Sequence, residues 1–299
     1  MTLPELNQKF STDEDCREIL TRLRWPEAVE CPRCRNRNVW WVDSRKQFTC
    51  SECSYQFSVT TGTIFNDSHL ALPLWFMAVL LLCEAKKGMS ASQLKRTIWG
   101  QHKGSYKTAW YLCHRIRAAM KEADRPMLDG TVEMDETYVG GKQRNLEKHW
   151  RKDRKKQVVI GIRQRGGDVR FFHAEDARKG TLAKYIKENI STDVDVIITD
   201  ELPAYNSAVG DMKHEAVNHS HKEYVRAGTD IHTNTVESAF SLLKRGIIGS
   251  WHKISTKHLS AYLAEMEFRF NRRKRSDLFI DTLRHMITAD PLTFANLTA

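Results

Sequence analysis

The sequence of 299 residues has few of the features that mark membrane, secreted, repeat or disordered proteins. It contains only 7 prolines and 15 glycines, and no segment is of low complexity or repeats at a solenoid period. The longest apolar run, Leu70–Cys83, is shorter than the roughly 20 residues that span a bilayer, so it predicts a buried helix. The N-terminal residues are acidic where a secretory signal is basic. We expect a globular, cytoplasmic protein of about two or three domains, with no membrane partner.

The charge balance favours a polyanionic partner. There are 47 Lys and Arg residues against 37 Asp and Glu residues, which gives a formal net charge of +10. A basic surface attracts nucleic acid because phosphate contacts release condensed counterions, although many basic proteins bind none. In a reducing compartment the seven cysteines are expected to be metal ligands or buried thiols rather than disulfides.

Four of the cysteines form two pairs, Cys31 with Cys34 and Cys50 with Cys53, and fifteen residues separate the pairs. Two thiolates three positions apart on a tight turn hold one edge of a tetrahedral ion, and the second pair closes the other edge. Four unrelated buried cysteines would rarely have this spacing. Because four thiolates leave no open coordination position, we predict a zinc ribbon with a structural Zn²⁺ ion.

Residues 70–122 have the apolar periodicity of helices. Ser90 and Gln93 have capping-box spacing, and Ser105 follows a Gly-bearing break where it could cap a second helix. This arrangement resembles a helix-turn-helix, and the section from Glu84 to Arg125 has ten basic and three acidic residues. A plain basic hairpin between two domains is the alternative. If the second helix binds DNA, the side chains facing phosphates or base edges are Tyr106, Lys107, Tyr111 and Arg115.

Beyond Pro126 the pattern changes from helical to β. Three strand-like segments come first, the last two joined by a Gly-Gly hairpin, and helices then alternate with strands. This order is that of an α/β RNase H-like fold, which holds metal with carboxylates from adjacent strands and a late helix. We predict strands at 130–138, 157–163, 169–174, 195–200 and about 215–219, and helices at 181–190, from about 235, and at 258–273.

Three acids lie where that architecture needs them. Asp135 is in the first strand, on the face opposite Val132 and Met134. Asp200 ends an apolar strand, at the carboxyl end where α/β sheets commonly place their sites. Glu237 is on the late helix. Together these oxygen ligands suit two Mg²⁺ or Mn²⁺ ions about 3.5–4 Å apart.

Other charged residues surround this predicted triad. Lys244 lies seven residues beyond Glu237, about two helical turns, so both point the same way and Lys244 could contact the phosphate near the cut. Glu133, Glu136 and Glu201 are adjacent acids that we expect to lie behind the metal ligands or on the surface.

Three segments carry a family resemblance: VEMDETYVGGK at 132–142, IITDELPAY at 197–205, and the long segment at 232–273 that begins HTNTVESAFSLLK. They resemble the ISXO-like zinc-ribbon DDE transposases of bacterial insertion sequences, which are related to Merlin transposons. The resemblance implies that Asp135 and Asp200 are the two aspartates. The third ligand varies in relatives among Glu, Asn and His, so Asn234 is the alternative to Glu237.

The resemblance also implies a reaction. It consists of hydrolytic nicking at the 3′ ends of the element, followed by attack of the freed 3′-OH on target DNA. Terminal inverted repeats and target DNA are then the partners, and a homo-oligomer synapses two ends. A DNA-binding regulator with an inactive catalytic domain and a metal-dependent nuclease without strand transfer are the alternatives.

The predicted organisation therefore has four parts. They are a zinc ribbon at 25–60, a helix-turn-helix section at 68–125, a catalytic domain at 128–275 and a short helical tail at 276–299. In a bacterium we expect the protein to associate with the nucleoid.

Overall fold

A computed structural model describes residues 1–122, 125–140, 156–221 and 223–299. The chain forms two compact units: the first contains residues 1–121 and 272–299, and the second contains residues 122–271. Gly141 and Lys142 of the VEMDETYVGGK segment lie outside the described residues. Among the described helices, none is long and apolar enough to cross a membrane.

The first unit begins with two helices that the sequence analysis did not predict. Both start at a threonine capping box; Thr12 Oγ1 accepts a hydrogen bond from the Asp15 N–H (3.2 Å), and the Asp15 carboxylate accepts one from the Thr12 N–H (2.9 Å). A three-stranded antiparallel sheet and three helices follow. The elements are α1 (Leu3–Lys9), α2 (Asp13–Arg24), β1 (Val39–Val42), β2 (Gln47–Cys50), β3 (Gln56–Phe57), α3 (Leu72–Glu84), α4 (Ala91–Trp99) and α5 (Tyr106–Ala119).

The predicted helices at 70–122 are confirmed, but only one of the two predicted serine caps forms. The Ser90 hydroxyl accepts a hydrogen bond from the Gln93 N–H (3.1 Å), as the spacing predicts. Ser105 precedes α5, but its side chain makes no capping hydrogen bond. Helix α3 is the apolar helix expected at Leu70–Cys83, and most of its side chains are buried.

The prediction that Arg115 faces outward from α5 is wrong. Arg115 is only 4% exposed, its guanidinium donates a hydrogen bond to the Asn66 carbonyl, and it lies 5.0 Å from the Trp75 ring. Tyr111 is half-buried, and its hydroxyl donates to the Leu292 carbonyl (2.5 Å). Other elements of the first unit cover this side of α5, which the periodicity of a single helix cannot reveal.

The second unit contains a five-stranded mixed sheet with the order β6-β5-β4-β7-β8. Strands β4, β5 and β6 are antiparallel neighbours, whereas β4, β7 and β8 run parallel. The predicted succession of strands and helices is observed, with one further short helix, α7. The elements are β4 (Thr131–Val139), β5 (Gln157–Gln164), β6 (Val169–Ala174), α6 (Lys179–Asn189), β7 (Val196–Thr199), α7 (Pro203–Ala208), β8 (His214–Ala216), α8 (Asn234–Gly246) and α9 (Leu259–Arg272).

Separate hydrophobic cores lie on the two faces of this sheet. Met134 and Val132 of β4 pack with residues of α6 and α7, as the alternation along the strand predicts. On the other face, Val159 of β5 packs with Phe240 of α8 and Met266 of α9. The sheet therefore holds helices on both faces, and β4, the strand of Asp135, is at its centre.

The C-terminal helices α10 (Leu278–Thr288) and α11 (Phe294–Thr298) belong to the first unit. Phe279 of α10 contacts Phe76 of α3, with ring centroids 5.8 Å apart, and Phe10 lies 5.2 Å from the same ring. Phe294 of α11 meets Tyr111 of α5 edge to face at 5.5 Å. The predicted tail thus completes the core of a unit that begins at the N-terminus.

Candidate functional site

Two of the predicted acids meet just beyond the parallel pairing of neighbouring strands, with Asp135 in the middle of β4 and Asp200 directly after the end of β7. In the pairing of β4 with β7, Glu133 lies opposite Ile198. Asp135 and Asp200 each follow two residues later, so the register brings both carboxylates to the same edge of the sheet. The main-chain N–H of Leu202 donates to Asp200 Oδ1 (3.1 Å), which orients this carboxylate after the strand ends.

Glu136 joins these two aspartates. Ligand oxygens of Asp135, Glu136 and Asp200 all lie within 4.8 Å of one another. The Tyr205 hydroxyl of α7 donates to Glu136 Oε2 (2.9 Å), and the Glu136 N–H donates to Asp135 Oδ1 (2.8 Å). The structure thus adds Glu136 to the group, where the sequence analysis placed it behind the ligands or on the surface. The signal available in the sequence was that Asp135 and Glu136 are consecutive acids within one strand.

The electrostatics of this group favour a bound cation. Burial, Glu136 and Asp200 raise the pKa of Asp135 from 3.8 to about 7. Burial and Asp200 raise the pKa of Glu136, and burial raises the pKa of Asp200. Burial also raises the pKa of Tyr205 well above its ordinary value, which keeps its hydroxyl a hydrogen-bond donor to Glu136. Three close carboxylates repel one another, so a divalent cation with oxygen preference fits between them.

Glu237, the predicted third ligand, lies beside this group and outside its closest set. Its side chain is 42% exposed; Oε1 lies 3.1 Å from His219 Nε2 and accepts a hydrogen bond from the Thr233 hydroxyl (3.2 Å). Glu237 also contributes to the raised pKa of Asp135. Asn234 is exposed at the first residue of α8.

His219 is a site residue that the sequence analysis missed. Besides Glu237, its Nε2 lies 3.1 Å from the Thr233 hydroxyl. Its proximity acts to lower the pKa of Asp200, against the larger effect of burial. His219 belongs to a short 3-10 helix between β8 and α8, a segment without periodicity, so nothing in the sequence pointed to it.

The start of α8, and with it Glu237, is held by a buried carboxylate. Glu133 of β4 is completely buried and accepts hydrogen bonds from the N–H groups of Thr235 and Val236 (both 2.9 Å). Arg165 donates to the same carboxylate (2.7 Å) and to the His232 carbonyl (2.9 Å). A carboxylate at a helix N-terminus satisfies free N–H groups and complements the helix dipole. The surface position that the sequence allowed for Glu133 is therefore wrong.

A glycine lets α8 approach the sheet beside Asp135. Gly161 of β5 pairs directly with Asp135. A Cβ atom at this position would lie 2.6 Å from Phe240 Cζ and 3.2 Å from Val236 Cγ2 of α8. These distances are shorter than van der Waals contact, so only glycine permits this packing. Glu133 and Gly161 together set the position of α8 against β4.

The remaining acid and the basic residues predicted for the site are not members of the group formed by Asp135, Glu136 and Asp200. Glu201 is half-buried and accepts a hydrogen bond from the Ser220 hydroxyl. Lys244 is exposed near the end of α8, and Lys107 is exposed near the start of α5 in the first unit. Both lysines remain available to phosphate. Arg115, the third predicted DNA contact, is withdrawn from the surface by its burial.

The four cysteines form a second ligand group, in the first unit. Their sulfur atoms lie within 4.8 Å of one another, with Cys31 Sγ 3.6 Å from Cys53 Sγ and Cys34 Sγ 3.5 Å from Cys50 Sγ. Zn–S bonds of about 2.3 Å in a tetrahedron place sulfurs about 3.8 Å apart, so the group fits Zn²⁺. Burial opposes ionisation of Cys31, but N–H groups of Cys34 and Arg33 donate to the sulfur, and its pKa falls to about 7.

Comparison with known proteins identifies the family. Residues 127–271 match the ISXO2-like transposase domain, and residues 11–56 match the transposase zinc-ribbon domain. The chain is also 30% identical over 280 residues to a Halobacterium salinarum protein described as an uncharacterized protein in transposable element ISH50. That alignment covers 87% of this chain and 91% of the relative. The chain belongs to the ISXO2-like transposase family.

Family membership confirms the resemblance drawn from the sequence, and it confirms the zinc ribbon. The transposase match spans nearly all of the second unit, so Asp135, Glu136 and Asp200 lie within the matched domain. The zinc-ribbon match contains all four cysteines of the sulfur group, which supports a structural Zn²⁺ ion there. A transposase acts on DNA, and the basic charge of the chain agrees with that substrate.

Proposed function

We propose that this transposase binds the ends of its own element, nicks DNA at the 3′ ends and joins them to target DNA by two-metal phosphoryl transfer. The observation that carries the proposal is the group of Asp135, Glu136 and Asp200, whose ligand oxygens lie within 4.8 Å of one another. Their raised pKa values support a cation site, because the ionised carboxylates are unfavourable here unless a positive charge lies near them. The sheet order and the late helix α8 support an RNase H-like fold for the second unit.

In this mechanism Asp135 and Asp200 hold Mg²⁺ or Mn²⁺ ions at the edge of the sheet. When bound, such ions activate the attacking oxygen, first of water and then of the 3′-OH, and stabilise the leaving oxygen. Tyr205 orients Glu136 through its hydroxyl hydrogen bond. Lys244, on the same helix as Glu237, neutralises phosphate charge near the cut.

Glu237 is the proposed third ligand, since α8 brings it near Asp135 and it remains partly exposed to an incoming ion. Glu136 is closer to the aspartates, and Asn234 is the position that the family resemblance leaves open. His219 Nε2 lies 3.1 Å from Glu237 Oε1, so a cation held by Glu237 would compete with this contact.

The first unit supplies the proposed DNA-end binding. The zinc ribbon presents Trp40 and Trp41, each about half exposed, and helices α4 and α5 act as a helix-turn-helix with Lys107 at its surface. A homo-oligomer that pairs two ends completes the proposal, because strand transfer of an element requires both ends together.

The test is nicking and joining of DNA that carries the inverted repeats flanking the gene, in Mg²⁺ and in Mn²⁺. Asp135→Asn and Asp200→Asn should abolish both steps while DNA binding persists. Glu237→Gln should do the same, and Asp211→Asn, an exposed acid of the second unit, should retain full activity. Mapping the 3′ ends of the products identifies the cut.

Other results of these assays would contradict the proposed reaction or the proposed ligands. Full activity in both aspartate variants would refute the DDE reaction and favour the DNA-binding regulator. Cleavage without any joined product in the parent protein would identify a nuclease. If Glu237→Gln cleaves normally, Glu237 is not the third metal ligand. Loss of cleavage in Glu136→Gln or in Asn234→Ala would then identify the residue that is.

A further inference from the structure

A cavity of about 430 Å³ lies inside the first unit, beside the helix proposed to bind DNA. Helix α5 contributes Lys107, Tyr111 and Arg115 to its wall, and α3 and α11 contribute Trp75 and Phe294. The size falls within the range of about 300–1,000 Å³ that small-molecule sites occupy. The face of α5 that the sequence assigned to DNA thus lines a pocket.

Three aromatic rings give this cavity flat apolar walls. Trp75 is buried, whereas Tyr111 and Phe294 are half-buried and stand perpendicular to each other, with centroids 5.5 Å apart. Trp75 is 1% exposed and forms only the floor of the cavity, whereas the partly exposed rings of Tyr111 and Phe294 can contact a planar ligand. Every nucleobase offers a flat face for such a contact.

The polar groups of the cavity favour an anion. Arg115 is 4% exposed, and its guanidinium lies 5.0 Å from the Trp75 ring and 5.3 Å from the Tyr111 ring. Its Nε is buried and has no hydrogen-bond partner within the described chain, so one N–H remains to be satisfied. Lys107 Nζ lies 4.2 Å from the Phe294 ring. Against these two cations the lining contains one acid, Asp67.

We propose that this cavity binds one unpaired nucleotide of a DNA strand that lies along α5. The base packs against the half-buried rings of Tyr111 and Phe294, and the exposed Lys107 meets the phosphate. Arg115 stays buried in the cavity wall, where its unsatisfied Nε–H donates to an acceptor on the base. Unpairing and unstacking a base costs a few kcal/mol, and least where the nucleotide is already unpaired, so the cavity selects DNA with a frayed or overhanging end. The inference rests on the proposed DNA-end binding and requires nothing of the carboxylate site.

The experiment compares two duplexes of equal length with zinc-loaded full-length protein, without added divalent ions so that no cleavage occurs. One duplex is blunt, and the other carries an unpaired 3′ 2-aminopurine nucleotide. The parent protein should bind the overhang about tenfold more tightly and quench its fluorescence, because each stacked base strengthens binding substantially.

Matched variants separate stacking from charge. Phe294→Leu keeps an apolar side chain but removes a ring, and Lys107→Ala removes a cation of the cavity; both should reduce the preference to less than about twofold. Lys103→Ala removes one exposed charge of the same unit outside the cavity, so it should weaken both duplexes equally and keep the preference.

Equal affinity for the two duplexes would overturn the inference, as would an unchanged preference in Phe294→Leu. Competition by dAMP alone at the affinity of the overhang would identify a site for free nucleotides instead. If the overhang preference holds but the protein never nicks end DNA, the proposed reaction fails and the cavity assignment stands.

Discussion

Asp135→Asn should stabilise the metal-free protein at high pH while abolishing its response to divalent ions. The folded-state pKa of Asp135 is about 7, against an ordinary value of 3.8. At about 1.4 kcal/mol per pKa unit, the ionised carboxylate costs on the order of 4 kcal/mol of folding free energy above pH 7. Asn carries no charge, and its Oδ1 can still accept the hydrogen bond that the Glu136 N–H gives to Asp135.

The direction in which pH changes the stability follows from the coupling between proton binding at Asp135 and folding. Because the folded state binds the Asp135 proton more tightly than the unfolded state, ionisation destabilises the fold as pH rises from about 4 to about 7. Near pH 4 the carboxyl is protonated in the folded protein and the substitution should change little. Near pH 8 the full penalty applies, so the difference between Asn and Asp should be largest there.

Thermal unfolding of zinc-loaded protein, at pH 4.5 and pH 8 and without added Mg²⁺ or Mn²⁺, measures this difference. One kcal/mol shifts Tm by about 2–4 °C for a unit of this size, so a penalty of about 4 kcal/mol means that Asp135→Asn should raise Tm by about 8–16 °C at pH 8. Added Mn²⁺ should raise the Tm of the parent protein and leave the variant nearly unchanged.

The exposed Asp211→Asn variant is the control, and it should behave as the parent does in both respects. A Tm for Asp135→Asn that is equal to or below that of the parent at pH 8 would show that neither burial nor the neighbouring carboxylates destabilise the ionised Asp135 side chain. The carboxylate group would then have no electrostatic preference for a cation.

Three further predictions concern the parts that support the site. Cys50→Ser should lower the zinc content from about one ion per chain and destabilise the ribbon, whereas Cys83→Ser should keep the metal, as elemental analysis can show. Glu133→Gln should cost about 3–5 kcal/mol in urea unfolding, because it removes the charge of a completely buried carboxylate that pairs with the half-buried Arg165 guanidinium and with two helix N–H groups; a loss below about 1 kcal/mol would contradict that role. Gly161→Ala should cost about 1–3 kcal/mol, and Phe240→Leu in the same chain should recover part of it if the predicted overlap is the cause.

The sequence predicted those parts of the site that depend on local pattern. The spacing of the paired cysteines predicts a tetrahedral group of sulfur atoms, because two turns and two short strands are enough to bring the four side chains together. Asp135 and Asp200 could be placed together because the predicted order of strands and helices brings carboxylates from adjacent strands together, and the pairing of β4 with β7 does this. Helix α8 could be located from its apolar stripe at Val236, Phe240 and Leu243.

Features that depend on contacts between distant segments escaped prediction. Arg115 lies on α5 where the helix period alone suggests a surface, but α3 and the C-terminal helices cover that side. His219 reaches Glu237 from a loop without periodicity. Glu136 points by strand alternation towards the Met134 face, yet its carboxylate reaches Asp135 and Asp200 and accepts a hydrogen bond from Tyr205 of α7.

The position of Glu237 shows why the third ligand is the hardest to assign from sequence. Asp135 and Asp200 are fixed by the hydrogen bonds of one sheet, whereas Glu237 depends on how closely α8 approaches that sheet. The approach is set by Glu133, which binds the first N–H groups of the helix, and by Gly161, which leaves room for Phe240. These two residues lie more than seventy positions from α8 in the chain. Changes at either should shift Glu237 relative to Asp135 and therefore weaken metal binding at this edge without touching a ligand. Mn²⁺ titration of Gly161→Ala, read by its effect on Tm, tests this link between packing and metal affinity.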